Sequence, residues 1–161
     1  SLFSMGRTAR LYKKLVVEKK IAVSVAAGSG APGARFPNLF TFSATPRAPH
    51  TTQEVEVALY EELSRLIEEG PTKKELEKVI TNIDASLIRS LTSNSGLASQ
   101  LAYFETAAGD WRYVLRNRDA IAKVTADDVK RVARAYFTKK NRTVVTLVQQ
   151  QIQPTIIGAL K

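Results

Sequence analysis

Hydrophobic residues recur at two different spacings along this 161-residue chain, and the change of spacing separates helices from strands. Over residues 7–20 the apolar positions lie three or four apart, which is the spacing of one helix face. Residues 21–28 and 39–45 instead alternate apolar and polar side chains, which predicts two strands. The Gly- and Pro-rich stretch 29–38 predicts a long loop that joins them as an antiparallel pair.

A pattern of long helices follows the two strands. Thr51 and Glu54 have the spacing of a capping box, which predicts the start of a helix. Gly70 and Pro71 end this helix. Thr72 starts a second long helix with the same signature. Because the connection is so short, the pair predicts a long helical hairpin. We expect the following apolar side chains to pack between this hairpin and the sheet: Leu63, Leu66, Leu76, Ile80, Ile83 and Leu87.

Shorter helices and one more strand complete the pattern. A helix that ends near Gly109 is followed by one that starts at or just after Asp110, and Thr125 caps the last. Residues 142–149 are rich in β-branched side chains and predict a strand. The fold class is therefore α+β, with a mainly antiparallel sheet of about three strands and a helical layer that includes the hairpin.

The charge of the chain permits a nucleic acid or an acidic surface as a partner. The net charge is +9, from 24 Lys and Arg against 15 Asp and Glu. The basic residues of the first helix are not accompanied by a helix-turn-helix or an RNP motif, so we interpret them as the solvated face of a packing helix. No apolar run approaches the ~18 residues that a membrane span needs.

The sequence offers no group that could carry out catalysis. It has no Cys and a single His, His50, which excludes disulfides, thiolate sites and a zinc site built from several His ligands. Its adjacent carboxylates point apart on a helix and cannot act as a hydrolytic pair; they are Glu61–Glu62, Glu68–Glu69 and Asp127–Asp128. We predict no catalytic, metal-binding or cofactor-binding residue in this chain.

Two separated segments resemble the insulinase/pitrilysin family of zinc metallopeptidases, the inverzincins. Residues 6–25, GRTARLYKKLVVEKKIAVSV, are similar to the family's helix-to-strand segment, and residues 108–148 are similar to its closing segment. The resemblance extends over residues 5–148. Its matching positions include Gly6, Arg10, Leu11, Tyr12, Leu15 and Ala22 in the first segment, and Gly109, Asp110, Trp111, Arg112, Asn141 and Arg142 in the second.

The resemblance implies a non-catalytic second domain from one half of such a peptidase. In the family, α+β domains pair into halves that enclose a chamber, and a different domain binds zinc through a His-x-x-Glu-His motif that is absent here. We therefore expect no cofactor in this chain and zinc in the parent protein. The domain is expected over residues 1–148, without the strand and helix that usually begin it, and residues 149–161 as a tail or interdomain linker.

The implied function is to shape and close the chamber in which the separate domain hydrolyses peptides. The implied partners are the catalytic domain, the other half of the protein and the peptide substrate. The surface expected to face the chamber or a neighbouring domain consists of Arg7, Arg10, Lys13 and Lys14. In the family an Arg and a Tyr commonly anchor the substrate, and these positions fall at Val16 and Val23, which lack that chemistry.

Two alternatives remain open. One is a non-peptidase scaffold subunit of the same family, and the other is a basic nucleic-acid-binding module. The resemblance also suggests a bacterial protein of the cell envelope or periplasm. If the first strand is missing, a sheet edge is left unpaired, so we expect self-association through that edge or a tail that folds over it.

Overall fold

The α+β fold class is confirmed by the computed structural model, which describes residues 2–3, 6–33 and 35–147. The predicted tail or linker at 149–161 lies outside these residues. The elements are a π-helix Tyr12–Glu18, β1 Ala22–Ala31, β2 Leu39–Pro46, α1 Thr52–Glu69, α2 Lys73–Leu91, α3 Asn94–Ala108, α4 Tyr113–Ala122, α5 Ala126–Tyr136 and a short 3₁₀ helix Lys139–Asn141.

The first helix differs from the α-helix that its apolar spacing predicts. The N–H of Lys19 donates to the carbonyl of Lys14 at 2.9 Å, a bond from five residues back that defines π-helical geometry. Lys20 follows with φ of 54°, a left-handed conformation that turns the chain into β1. Leu11 and Leu15 are both fully buried, so the predicted apolar stripe is confirmed although the type of helix is not.

β1 and β2 form a two-stranded antiparallel sheet within the part of the chain that the structure describes. Residues 142–147, expected to begin a third strand, have no regular secondary structure, and Val145 and Leu147 are 90% and 94% exposed. β-branched residues favour an extended chain, but a strand also needs hydrogen bonds to a neighbouring strand. Residues 142–147 do not form such a ladder. Residues 148 and 149 of the same predicted strand lie outside the described residues.

The buried core lies between the π-helix, one face of β1 and α1. Leu15 and Leu66 are fully buried, and burial of a leucine of this kind contributes about 1.5–3 kcal/mol. α5 packs along α1 and covers the far side. An aromatic cluster of edge-to-face contacts closes one end of the core, and its members are Phe3, Phe40, Phe42 and Phe137.

The helices α2, α3 and α4, residues 73–122, form a separate layer that we call the helical arm. α2 packs against α3 and α4, whereas α1 packs against α5, β2 and the π-helix. No residue of α2 or α3 is buried, and α4 buries only Val114. The expectation that Leu76, Ile80, Ile83 and Leu87 lie between a hairpin and the sheet is therefore wrong, because the stripe on α2 is covered by the neighbouring helices of the arm.

Local sequence signals place the helix ends well. Thr51 and Thr72 each form the predicted capping box, with the side chain of Glu54 or Glu75 bonded back to the N-cap backbone. Gly70 ends α1 with φ of 78°, which is costly for any residue with a Cβ. No helix among the described residues is long and apolar enough to cross a membrane.

Candidate functional site

The four basic residues predicted as a surface do not share one environment. Arg7 is exposed, and the side chains of Lys13 and Lys14 are 63% and 25% exposed. Arg10 points inward, with only 11% of its side chain exposed. Arg7, Lys13 and Lys14 thus reach solvent more than Arg10 does, and we call these three residues the basic face.

The basic face is partly neutralised by its own neighbours. The Nζ atoms of Lys13 and Lys14 lie 3.6 and 3.2 Å from the carboxylate of Glu18. The hydrogen bond from Lys14 is the main cause that lowers the pKa of Glu18 below its ordinary value. Lys19 is similarly paired at 2.7 Å with Glu61 on α1, and that hydrogen bond lowers the pKa of Glu61. A ligand of this face would therefore meet fewer free positive charges than the sequence shows.

Arg10 joins the N-terminal segment to the start of α2. Its Nε and Nη2 donate to the two carboxylate oxygens of Glu75 at 2.7 and 2.8 Å. Nη2 also donates to the carbonyl of Gly70 at 2.8 Å. This bidentate geometry is the strongest form of side-chain ion pair, because both parallel hydrogen bonds are charge-assisted. One guanidinium thus contacts the first residue after α1 and the third residue of α2.

The pairing strongly perturbs Glu75. The hydrogen bond from Arg10 is the main cause that lowers the pKa of Glu75 to about 2, and hydrogen bonds from Thr72 add to it while burial opposes it. Reciprocally, the Glu75 hydrogen bond raises the pKa of Arg10, with smaller contributions from the charges of Glu62 and Glu69. Arg10 therefore lies in the field of three carboxylates.

One of these three carboxylates, that of Glu62 on α1, is buried. Glu62 is 4% exposed, and its Oε1 lies 2.9 Å from Nη1 of Arg65 without hydrogen-bond geometry. Burial of a carboxylate is costly unless positive charge or hydrogen bonds compensate it. Arg65 and Arg10 supply that charge, so Arg10 has a structural role that the other three basic residues lack.

The other residues considered for a catalytic or substrate-binding role do not form a site in this structure. His50 lies before α1, where its Nδ1 is 3.1 Å from Glu54 on the exposed surface. Val16 is half-buried and Val23 is 55% exposed, and neither presents a polar group at the positions where the resembled family anchors substrate. Among residues 2–3, 6–33 and 35–147, no three His, Cys, Asp or Glu side chains cluster as metal ligands. The arrangement can position helices and present a basic face.

The Arg10–Glu75 pair was missed by sequence reasoning, although two signals pointed to it. Arg10 stands between two apolar residues, Ala9 and Leu11, in the segment that the pattern predicts to pack. Glu75 is the N3 residue of a capping box, which fixes its carboxylate near the start of α2. Neither signal predicts that the two residues pair with each other, because they are 65 positions apart in the chain.

Comparison with protein families gives one match. The model of the Peptidase M16 inactive domain matches residues 1–83, which include the π-helix, both strands, α1 and the first turns of α2. No protein of curated function matches the chain.

Solved structures share the fold over most of the chain. A "putative zinc protease" of Bordetella pertussis Tohama I is 25% identical, with a TM-score of 0.75, over 88% of this chain and 77% of that one. The inactive peptidase domain of such a protein from Bordetella parapertussis gives the same identity and TM-score, with 88% and 75% covered. A protease of Helicobacter pylori, 22% identical with a TM-score of 0.78, shares the fold over 87% of this chain and 33% of its own.

Proposed function

The chain belongs to the Peptidase M16 family through that family's inactive domain, and from this premise we propose that it shapes and closes a proteolytic chamber for a separate catalytic domain. In this proposal the catalytic domain carries the His-x-x-Glu-His motif, binds zinc and hydrolyses peptides. The chain described here supplies wall and contact surface. The observation that carries the proposal is the match to a domain defined as inactive, over residues 1–83.

The helical arm supports a role in contact with other domains. It leaves large apolar side chains in solvent, and Ile88, Tyr103 and Leu115 are 64%, 51% and 62% exposed. Where such side chains adjoin in one patch, they mark a protein interface. The catalytic domain and the other half of the parent protein are the proposed partners, and a peptide is the proposed substrate of the assembly.

The direct test mixes the purified chain with a His-x-x-Glu-His protein of the same family from the same genome. Quenched fluorescent peptides report hydrolysis, and metal analysis after dialysis reports zinc. We expect no cleavage and no stoichiometric zinc for the chain alone, and faster cleavage when the two are combined. Cleavage by the chain alone that a chelator abolishes would contradict the proposal. A stable complex without faster cleavage would favour the scaffold alternative.

The basic face formed by Arg7, Lys13 and Lys14 is the proposed chamber or interface surface, and a basic wall would favour acidic peptides. The double substitution Lys13→Glu and Lys14→Glu should slow cleavage of acidic peptides by the assembly more than cleavage of neutral ones. Lys73→Glu is the matched control, because Lys73 is 91% exposed and lies on the arm. Equal effects on both peptide classes would argue against a charge-selective wall.

The composition of the first strand supports a second contact. β1 contains neither a charged residue nor Pro, the residues that usually protect a strand against pairing with another chain. We propose that the isolated chain self-associates through a sheet edge or covers it with residues 149–161. Light scattering on the full chain and on a version ending at Val148 tests this. Clean monomers of equal stability in both cases would contradict it.

A further inference from the structure

The helical arm and the core are two bodies with separate packing. Within the described residues, the buried core cluster draws its members from the N-terminal segment, β1 and α1, with partly buried neighbours from β2 and α5. It includes no residue of α2, α3 or α4. The arm therefore could change its angle to the core without exposing any member of that cluster.

Polar contacts hold the arm against the core instead. Arg10 binds both carboxylate oxygens of Glu75 and the carbonyl of Gly70. Lys78, one turn further along α2, donates to the hydroxyl of Thr8. The segment 6–11 thus contacts the first two turns of α2.

The connection between α1 and α2 is short, and its first two residues are buried. It consists of Gly70, Pro71 and Thr72, with Gly70 at φ of 78° and ψ of −179°. Hinges in proteins are usually a few residues at element ends that absorb changes of φ and ψ. Arg10 bonds to the carbonyl of Gly70 itself, so it restrains this connection as well as the helix that follows.

We propose that Arg10 is a positioning residue that acts as a latch: its bidentate pair with Glu75 and its bond to Gly70 fix the angle of the helical arm on the core, and the arm swings when they open. The inference concerns this chain alone and does not depend on the proposed role in peptide hydrolysis. An ion pair suits this role because it can be broken without opening an apolar core, and because its bidentate geometry sets an angle as well as a distance.

The test measures the distance between arm and core in the full chain. The sequence has no Cys, so Gln53→Cys on α1 and Ser99→Cys on α3 place one spin label on each body at exposed positions. Electron–electron double resonance then gives the distribution of distances. We expect one narrow distribution in the parent chain, and a shifted or at least twofold broader distribution in Arg10→Gln and in Glu75→Gln.

A second ion pair supplies the matched control. Arg118 on α4 binds both carboxylate oxygens of Asp84 on α2 at 3.0 and 3.2 Å, so this pair has the same bidentate form but lies wholly inside the arm. Arg118→Gln should leave the centre of the distribution unchanged. Arg10→Lys keeps the positive charge but cannot donate two parallel hydrogen bonds to Glu75. Its distance distribution should lie between those of the parent chain and Arg10→Gln.

Glu75→Gln keeps the test decisive if Arg10→Gln fails to fold beside the buried Glu62. Glutamine preserves the capping box of α2 but removes the charge that Arg10 binds. If Glu75→Gln folds with the distribution of the parent chain, the latch is wrong. If Arg118→Gln shifts the distribution as much as Glu75→Gln does, general loosening of the arm explains the result and the latch is likewise wrong.

Discussion

The core and the helical arm use similar helix-forming sequences but reach different degrees of burial. α1 has 18 residues and buries five of them, whereas α2 has 19 residues and buries none. Both begin with a Thr-x-x-Glu capping box and both carry an apolar stripe. The difference lies in what covers the stripe, because α1 is enclosed by β2, α5 and the π-helix, and α2 meets other helices of the arm. Stability and mobility should divide along the same boundary.

The largest expected difference follows from burial. Leu66→Ala should lower the free energy of unfolding by about 3 kcal/mol, because a fully buried leucine leaves a cavity when truncated. Ile83→Ala, at a half-buried position on α2, should cost about 1 kcal/mol, because part of its surface is already in water. Urea unfolding followed by circular dichroism measures both. Equal losses would show that the arm is as much a part of the core as α1.

Arg10 tests the polar link between the two regions. Arg10→Ala should lower the free energy of unfolding by about 2 kcal/mol, since it removes hydrogen bonds to a charged group and leaves Glu62 with less compensation. The control, Arg118→Ala, breaks an exposed pair within the arm and should have a clearly smaller effect. Thermal unfolding of the two variants gives the comparison. A larger loss for Arg118→Ala would reverse the ranking of the two pairs.

The pH dependence of stability should carry the signature of the same link. Glu75 has a pKa of about 2 in the folded chain, lowered from an ordinary value of 4.5. A lowered carboxyl pKa stabilises the fold above the unfolded value, and this stabilisation is lost as pH falls through the folded value. The advantage of the parent chain over Glu75→Gln should therefore be complete above pH 4.5 and shrink between pH 4.5 and about 2. An advantage that stays constant across this range would remove Glu75 as its source.

Local signals in the sequence predicted where helices begin and end, but they could not predict which faces meet. The capping boxes at Thr51 and Thr72 and the stop at Gly70 depend on residues a few positions apart, so pattern alone finds them. The apolar stripe on α2 indicates that one face of the helix is covered, but it does not indicate whether a sheet or another helix covers that face. This is why the sequence pattern predicts the wrong neighbour for Ile80 and Ile83.

Two other differences have the same physical origin. The spacing of Leu11 and Leu15 fits an α-helix and a π-helix equally well over so short a segment, and the hydrogen bond from Lys19 to Lys14 decides between them. Residues 142–147 have strand propensity without a paired edge, so they stay irregular. The basic face was visible in the sequence, whereas the inward turn of Arg10 depends on Glu75, a residue on a distant element.

The smallest expected effect separates the two regions most sharply, because it compares two caps of the same chemistry. The hydroxyl of Thr51 accepts from Glu54 N–H at 3.2 Å at the start of α1, and that of Ser93 accepts from Gly96 N–H at 3.1 Å at the start of α3. Loss of such a cap costs about 1 kcal/mol. In Thr51→Ala this cost should lower the protection of core amides against hydrogen exchange, because α1 opens only when the core does.

Ser93→Ala should instead speed amide exchange within α3 and the arm helices packed on it, and leave the core amides unchanged. The physical reason is that a unit with few buried side chains opens by itself at lower free energy than the whole chain. Native-state hydrogen exchange resolved by residue measures both variants under one condition. If Ser93→Ala lowered the protection of Leu15 and Leu66 as much as Thr51→Ala does, arm and core would unfold as one unit, and the boundary between them would have no energetic meaning.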